Sequence, residues 1–464
     1  MLFSSIPFLY YFLPCVLILY LIAPKKLKNS VLLISSLFFY WWGEPRYVVL
    51  MVIDIVLGYV CGLLIERFRG KAASKVFLVL SVVISVGLLG YFKYADFMIG
   101  NFNAVTGLSV PLLKIALPVG ISFYTFQLLS YTIDVYRGNV PAQKNPITLA
   151  TYVALFPQLI AGPIVRYSDV EHQLKNRTHS FEYVSIGIRR FIIGLSKKVL
   201  IADAMYALCD MFRASGDKSV LFYWLYALAF CMFVYFDFSG YSDMAIGLGK
   251  IFGFDFLENF NYPFISKSAS EFWRRWHMSL GSWFRDYVYI PMGGNRVGKY
   301  RLILNLLVVW MLTGLWHGAA WNFVIWGLYF GILLMIEKRF LTKFLSKNAV
   351  VAHIYTLFLV IISFVIFNAE SMRGIFADIG GLFGAGGIPF ISKETVYCLK
   401  DYGFLLVIGI VGATPLMKNI ALKLREKTEK VMNVLEIVFL AVLLIMVTAY
   451  FVDGSFSPFL YFRF

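Results

Sequence analysis

Residues 302–336 read LILNLLVVWMLTGLWHGAAWNFVIWGLYFGILLMI, two apolar runs that meet at one histidine, His317. Each run, 302–318 and 321–336, is close to the length that crosses the hydrocarbon core of a bilayer. An imidazole at membrane depth needs a partner, a water-filled cavity or a chemical function. The stretch therefore predicts a membrane fold and a candidate site at its centre.

The composition extends this prediction to the whole chain. Of 464 residues, 60% are hydrophobic and only 15% are charged, too few charges to cover a soluble protein of this size. Apolar stretches near 20 residues recur, and some carry Pro, Gly and Gln, which is typical of broken or re-entrant helices. We expect an all-α polytopic membrane protein, one domain over 1–464, with roughly nine to eleven transmembrane helices plus re-entrant or interfacial pieces.

The net charge of +16 is explained by the membrane, not by nucleic acid. Lys and Arg cluster in the short connections between apolar runs, as the positive-inside rule describes, where they meet anionic lipid headgroups. The clusters at 25–28, 67–75, 296–301, 338–347 and 418–430 are predicted to be cytoplasmic. Both termini are then predicted to be extracytoplasmic, and the first apolar run reads as a retained span.

The five cysteines and five histidines do not form a metal or disulfide pattern. No CxxC pair exists, the cysteine count is odd, and His277 and His317 stand 40 positions apart. We expect no disulfide framework and no metal site.

Residues 270–296, SEFWRRWHMSLGSWFRDYVYIPMGGNR, form the densest polar stretch. On one continuous helix the aromatic residues share a face, and Arg274, His277 and Arg285 lie on the neighbouring stripe. An interfacial amphipathic helix explains the aromatic and arginine residues but not His277. Pro291 and the glycine pair after it are expected to end the helix.

His317 is predicted to lie deep in the membrane. It follows Arg301 by 16 residues, a helical rise of about 24 Å within a core of roughly 30 Å. Trp316 and Asn322 are placed to hold or orient the imidazole. Either His317 is satisfied by an interhelical hydrogen bond, or it is a general base, for which a neutral imidazole is well suited.

These two stretches together resemble the membrane-bound O-acyltransferase superfamily, whose histidine pair matches His277 and His317. The segments FPQLIAGPIVRY (156–167) and FDFSGYSDMAIGLGKIFGFD (236–255) also resemble its signature segments. The motif RDYVYIPMGGNR is similar to the bacterial branch that acetylates alginate and peptidoglycan. The resemblance implies helices around a central funnel and a multi-pass enzyme of the bacterial cytoplasmic membrane.

The implied reaction moves an acyl group, in this branch acetyl, from a cytoplasmic thioester toward a hydroxyl of a cell-surface polysaccharide. The donor would be acetyl-CoA or an acyl-carrier protein, with no bound cofactor. Members of this branch hand the acyl group to a separate extracytoplasmic transferase. The family match assigns His317 as the general base, with His277 as a second or donor-side residue.

Other residues receive weaker assignments. The terminal Tyr461 is either part of an aromatic belt or an acyl relay, as the resemblance suggests. Asp237 either contacts substrate or simply caps or pairs locally. Arg274 and Arg285 are predicted to contact a phosphate of the acyl donor, and Asn322 to donate a hydrogen bond to the oxyanion of the reacting thioester. Trp316, Trp321 and Trp326 are predicted to line the path of the substrates. Asp286 in the RDYVY motif and Gln158, by family match alone, are the remaining candidates for contacting substrate.

Three rival functions stay open at this point. A transporter would share the many spans and broken helices, but we find no internal repeat. A scaffold that recruits an outer transferase needs no acyl chemistry at His317. Within enzymes, the alternative is D-alanyl transfer from a carrier protein to teichoic acid.

Overall fold

The computed structural model of the chain describes residues 1–454. Every regular element among these residues is a helix, which confirms the predicted all-α class. Most helices end where the sequence supplies Gly, Pro or a polar cap. The first nine are α1 Leu13–Ile22, α2 Lys28–Gly43, α3 Val48–Arg67, α4 Ala72–Thr106, α5 Ile121–Arg137, α6 Pro146–Ala154, α7 Phe156–Leu159, α8 Tyr167–Lys175 and α9 Phe181–Ser196.

The rest of the described chain continues the pattern, with short π-helical turns at Lys197–Ala202, Arg285–Tyr289 and Glu337–Leu341. The further helices are α10 Asp203–Ala214, α11 Val220–Ile251, α12 Ala269–Arg275, α13 Met278–Phe284, α14 Lys299–His317, α15 Trp321–Ile336, α16 Thr342–Leu345, α17 Ala349–Asn368, α18 Met372–Leu382, α19 Lys393–Gly412, α20 Leu416–Lys427 and α21 Glu429–Val452.

Seven of the described helices are long and apolar enough to cross a membrane: α3, α4, α11, α14, α17, α19 and α21. One shorter apolar helical stretch, Pro7–Ile22, which includes α1, is also found among the described residues. The protein is therefore a multi-pass membrane protein. The count of nine to eleven spans stays a prediction.

The contacts of the chain divide it into two compact units. Unit 1 comprises Met1–Phe191 and Met244–Leu257, and unit 2 comprises Ile192–Asp243 and the described part of 258–464. The prediction of one domain over 1–464 is not settled by this division. Both histidines of the family pair, and every cavity considered below, belong to unit 2.

Unit 1 is organised around the packed helices α3, α4 and α5. Polar side chains are satisfied between these helices, because lipid offers no hydrogen bonds. Ser85 on α4 donates to the carboxylate of Asp54 on α3 at 3.2 Å, and Ser81 on α4 donates to Thr132 on α5 at 3.3 Å. These bonds hold the three helices in one register.

Unit 2 contains a tight helical hairpin of α14 and α15. The helices cross at Gly314 and Gly327, where a Cβ on either glycine would lie 2.2 Å from a carbonyl oxygen of the facing helix. Only residues without a side chain permit this approach. The turn of the hairpin, residues 318–320, begins immediately after His317. His317 is thus the last residue of a helix, at the tip of the hairpin.

The stretch 270–296 is not one helix, and that prediction was wrong. The helix breaks at Trp276, which is extended at φ −105° and ψ 129°, and at His277, which is left-handed at φ 43° and ψ 52°. Packing inside the protein outweighs the amphipathic pattern. Trp276, Trp283 and Phe284 are buried among other side chains, so they do not form an interfacial aromatic face. The glycine pair after Pro291 does end the segment, with positive φ at both positions.

Candidate active site

His277 is held in an unusual backbone conformation between α12 and α13. A left-handed non-glycine residue costs on the order of 1–3 kcal/mol, and such residues concentrate at functional sites. Here the break between two short helices turns the imidazole inward, so that the residue is only 1% exposed. On a continuous helix, His277 would have stayed on the arginine stripe. The strain therefore places this imidazole inside the protein.

Asn259 determines which nitrogen of His277 carries the proton. Its Oδ1 accepts the backbone N–H of Ser279 at 3.3 Å and the Ser279 hydroxyl at 2.8 Å, and its Nδ2 donates to Ser242 Oγ at 3.0 Å. Because Oδ1 is an acceptor, the 3.1 Å contact with His277 Nδ1 requires a proton on Nδ1. Nε2 of a neutral His277 then carries the lone pair.

The environment keeps His277 neutral. Burial, and after it the charge of His317, hold the pKa of His277 well below its ordinary value. Its Nε2 has no hydrogen-bond partner among the described residues. The ring packs edge-on against Phe238, with centroids 4.7 Å apart, and lies 5.6 Å from the ring of Trp316. The result is a fixed hydrogen-bond acceptor.

His317 lies close to His277, with the Trp316 ring in contact with both. The Trp316 ring is 5.1 Å from the His317 ring and also contacts His277, so one indole packs against both imidazoles. Trp326 and Phe367 form the rest of the aromatic wall, at 5.0 and 5.4 Å from His317. The structure thus brings the two histidines of the family pair into one site.

A cavity of about 380 Å³ reaches His277 from the side of α13 and α14. Its wall includes Trp273, His277, Trp310 and Thr313, the last lying one helical turn before His317. A second, wider cavity of about 720 Å³ adjoins it and shares lining residues with it. The shared residues are Arg274, Gly281, Arg285 and Val309.

The wider cavity is basic. Lys267, Arg274, Arg285 and Lys338 line it. Glu337 is the one carboxylate residue lining it in the described part of the chain; it is 3% exposed and accepts the backbone N–H groups of Ala269 and Ser270 at 2.6 and 3.1 Å. Glu337 therefore occupies the N-terminus of α12 and leaves the cationic side chains to meet an anion.

The two arginines predicted at phosphate differ in their partners. Arg285 donates two hydrogen bonds, of 2.7 and 3.0 Å, to the Asp286 carboxylate. Asp286, predicted to contact substrate, is therefore the partner of Arg285. Arg274 is exposed and makes no ion pair among the described residues. Arg274 is thus the arginine with its donors available in the cavity.

Asp237 and Asn322 are engaged in structural contacts. Asp237, 1% exposed, lies 2.9 Å from Lys198 Nζ, which also bonds Asp203 at 2.6 Å. Burial acts to lower the pKa of Lys198, but Asp237 and Asp203 outweigh it and raise that pKa. Asn322 donates to the Phe367 carbonyl at 2.9 Å. These contacts favour local pairing at Asp237 and a hairpin anchor at Asn322.

The other predicted residues fall elsewhere. Trp321 is 53% exposed at the start of α15, unlike the buried Trp316 and Trp326. Gln158 belongs to unit 1, where it is buried and donates to the Tyr152 carbonyl. Tyr461 lies outside the described residues.

Sequence reasoning missed Asn259, Glu337 and Phe367. Asn259 precedes His277 by 18 positions in an irregular segment, so no helical periodicity relates them. Glu337 reads from the sequence as part of a charged connection after α15. The alternation of asparagines and aromatic residues in NFNYPF (259–264) was the available signal for Asn259.

Comparison with known proteins covers the part of the chain that forms the site. The model of the membrane-bound O-acyltransferase family matches residues 141–376, which contain both histidines, Asn259 and both cavities. The chain belongs to the membrane-bound O-acyltransferase family. This O-acyltransferase is 41% identical over 421 residues to the probable alginate O-acetylase AlgI of Azotobacter vinelandii, covering 89% of this chain and 84% of that one.

Two further relatives are similar in sequence to this membrane-bound O-acyltransferase. It is 33% identical over 458 residues to the peptidoglycan O-acetyltransferase of Helicobacter pylori, covering 90% of this chain and 87% of the relative. It is 32% identical over 272 residues to the teichoic acid D-alanyltransferase of Bacillus subtilis, covering 54% and 69%. The longer matches carry names of O-acetylation.

Proposed function

We propose that this O-acyltransferase moves an acetyl group from a cytoplasmic thioester, through the membrane, toward a hydroxyl of a cell-surface polysaccharide. Its longest similarities are to proteins named for acetylating alginate and peptidoglycan. The observation that carries the proposal is a fixed imidazole acceptor, His277 Nε2, at the end of a cavity with a cationic outer part.

The donor enters by the wide cavity. Acetyl-CoA and an acyl-carrier prosthetic group both combine phosphate with a narrow, uncharged pantetheine arm. Lys267, Arg274 and Lys338 offer charge to the phosphate, and the narrower cavity of about 380 Å³ accepts the arm. The thioester then lies beside the histidines, and the surrounding tryptophans exclude water that would hydrolyse it.

The step at the histidines is one displacement on the thioester, with the Tyr461 phenol proposed below as the first acceptor. The acceptor oxygen attacks the thioester carbonyl while His317 takes the hydroxyl proton. The carbon–sulfur bond then breaks, and the thiolate takes that proton from the His317 imidazolium. His277, with Nε2 fixed as an acceptor, orients the hydroxyl. The sequence places no cysteine beside a histidine, so the proposal includes no cysteine acyl-enzyme.

We further propose that the acetyl group reaches the polysaccharide through an extracytoplasmic esterase-like transferase, with Tyr461 as a relay at the chain terminus. A phenyl ester is more activated than an alkyl ester, which favours onward transfer. The bacterial cytoplasmic membrane, with both termini outside, is the location this route requires.

The test uses purified protein in detergent with radiolabelled acetyl-CoA. We expect His317→Ala to lower thioester consumption by on the order of 10²-fold or more, and His277→Ala to lower it strongly, while the exposed His172→Ala matches wild type. Label retained on the protein only when Tyr461 is present supports the relay. Unchanged turnover in His317→Ala and His277→Ala contradicts the mechanism.

A carrier-bound donor is the second candidate, because of the similarity to a teichoic acid D-alanyltransferase. Offering D-alanyl-carrier protein in the same assay separates the two. Turnover with that donor, and none with acetyl-CoA, favours D-alanyl transfer.

A further inference from the structure

Unit 1 contains two cations and a histidine around one buried tyrosine, which we name the Tyr20 cation cluster: Tyr20, Lys28, Arg177 and His179. Lys28 Nζ lies 4.5 Å from the centroid of the Tyr20 ring, and the Arg177 guanidinium carbon lies 5.8 Å from the same centroid. Tyr20 itself is 1% exposed. Its hydroxyl donates to the Phe252 carbonyl at 2.8 Å and therefore accepts from His179 Nε2 at 2.9 Å.

The cluster contains no acid to balance its charge. Neither Lys28 nor Arg177 forms an ion pair among the described residues. Lys175, two positions before Arg177, is paired with Glu171 at 2.8 Å. Burial lowers the pKa of His179, and Lys28 and Arg177 lower it further, so the potential here is positive. Like charges gathered at a half-buried site are unfavourable unless an anion joins them.

Arg177 is held in place with donors to spare. Its Nη2 donates to Asn29 Oδ1, its guanidinium lies 4.7 Å from the Phe254 ring, and its buried Nη1 has no hydrogen-bond partner among the described residues. Asn29 is fixed in turn by the Leu174 carbonyl at 2.9 Å. The loop of Arg177 also packs on Gly253, where a Cβ would lie 3.0 Å from the Thr178 carbonyl oxygen.

We infer that the Tyr20 cation cluster binds the phosphate of an anionic phospholipid headgroup. The cluster lies where α1 ends and α2 begins, so it stands at the end of an apolar helix. Lys25 and Lys26 flank it on the exposed side. Basic pockets between membrane helices on the cytoplasmic side are typical sites for anionic headgroups. Arg177 supplies directed donors to the phosphate, and Lys28 supplies a point charge.

The experiment measures the affinity of the purified full chain for phosphatidylglycerol by native mass spectrometry in detergent. We expect Lys28→Gln and Arg177→Gln each to weaken binding about fivefold, the effect of losing one basic residue at an anionic lipid. Lys175→Gln is the matched control, since it removes a cation from the same region that already has a carboxylate partner. Its affinity stays at the wild-type value.

Lys28→Gln also serves as the variant that is expected to fold. Lys28 contacts the face of the Tyr20 ring without a hydrogen bond, so the substitution breaks no hydrogen bond of the fold. Equal weakening in all three variants means diffuse attraction to the basic surface and overturns the site. Unchanged affinity in Lys28→Gln and Arg177→Gln also overturns it. A third outcome is that millimolar inorganic phosphate displaces the lipid and itself binds the wild type but neither variant. That result would show a site for free phosphate and would overturn the lipid headgroup as its ligand.

Discussion

At the residue scale, the site depends on how His277 is oriented. Its left-handed backbone turns the imidazole inward, and the Asn259 amide fixes the proton on Nδ1. Among the described residues, the side chain of Asn259 forms hydrogen bonds with His277, with Ser279 on α13 and with Ser242. We therefore regard it as a positioning residue that acts through His277.

Replacing Asn259 tests this role. Asn259→Leu removes the acceptor for Nδ1–H, so Nε2 no longer stays the lone-pair nitrogen, and we expect kcat to fall by on the order of 10²-fold with little change in KM. Asn259→Asp keeps an acceptor but places a negative charge beside His277. That charge raises the pKa of His277 above its present lowered value, so the acid limb of kcat/KM moves to higher pH.

A purely structural asparagine would give another result. In that case Asn259→Asp would lower thermal stability without moving the pH profile. Kinetics of acetyl-CoA consumption across pH, with melting curves of the same preparations, separate the two outcomes.

At the element scale, the α14–α15 hairpin brings His317 to its position. The helices approach so closely that backbone meets backbone at Gly314 and Gly327. The Asn322 bond to the Phe367 carbonyl then ties the start of α15 to α17. The hairpin is thus a rigid support, and its tip carries the histidine.

We expect Gly314→Ala to lower the free energy of unfolding by about 1–3 kcal/mol, because its Cβ meets the Phe323 carbonyl and the helices must separate. Gly87→Ala on α4 is the control, since its Cβ meets nothing within 4 Å. Thermal unfolding in detergent measures both. Equal stability of the two variants would contradict the close packing.

A second element-scale prediction concerns the buried pair between α11 and the π-helical turn Lys197–Ala202. Lys198→Met removes the cation that pairs with the buried Asp237 and with the partly exposed Asp203, which costs about 3–5 kcal/mol of stability. The fraction of the variant that remains folded is expected to have an unchanged KM for the acyl donor. A raised KM in Asp237→Asn at full stability would instead restore Asp237 as a substrate contact.

At the scale of the whole molecule, the order of charges and helices predicts an orientation. The 35-residue α4 rises about 52 Å, longer than the hydrocarbon core, so its two ends lie on opposite sides of the membrane. With Lys71 cytoplasmic, the exposed segment after Gly107 is extracytoplasmic, and the 17-residue α5 returns toward Lys144. The basic cluster at 67–75, Arg137 and Lys144 then lie on the cytoplasmic side, and Lys114 is the one Lys or Arg in the outer segment 107–120.

Cysteine labelling checks this orientation. In a cysteine-free background, Leu112→Cys is expected to react with an impermeant maleimide on intact cells, whereas Lys144→Cys reacts only after permeabilisation. Both positions are exposed, so burial does not explain a difference. The reverse pattern would invert the topology, and with it the direction of acyl transfer.

The sequence by itself determined the membrane class, the helical fold and the histidine pair, because hydrophobic run length and linked motifs are local properties. Arg274 and Arg285, predicted together at phosphate, line one cavity, and their role at phosphate stays a prediction. Only the tertiary structure decided that residues 270–296 break at His277, that Asn259 holds its Nδ1, and that Lys198 pairs with Asp237. Such contacts join residues far apart in sequence. Close packing and the burial of polar groups select them, and no local periodicity records that selection.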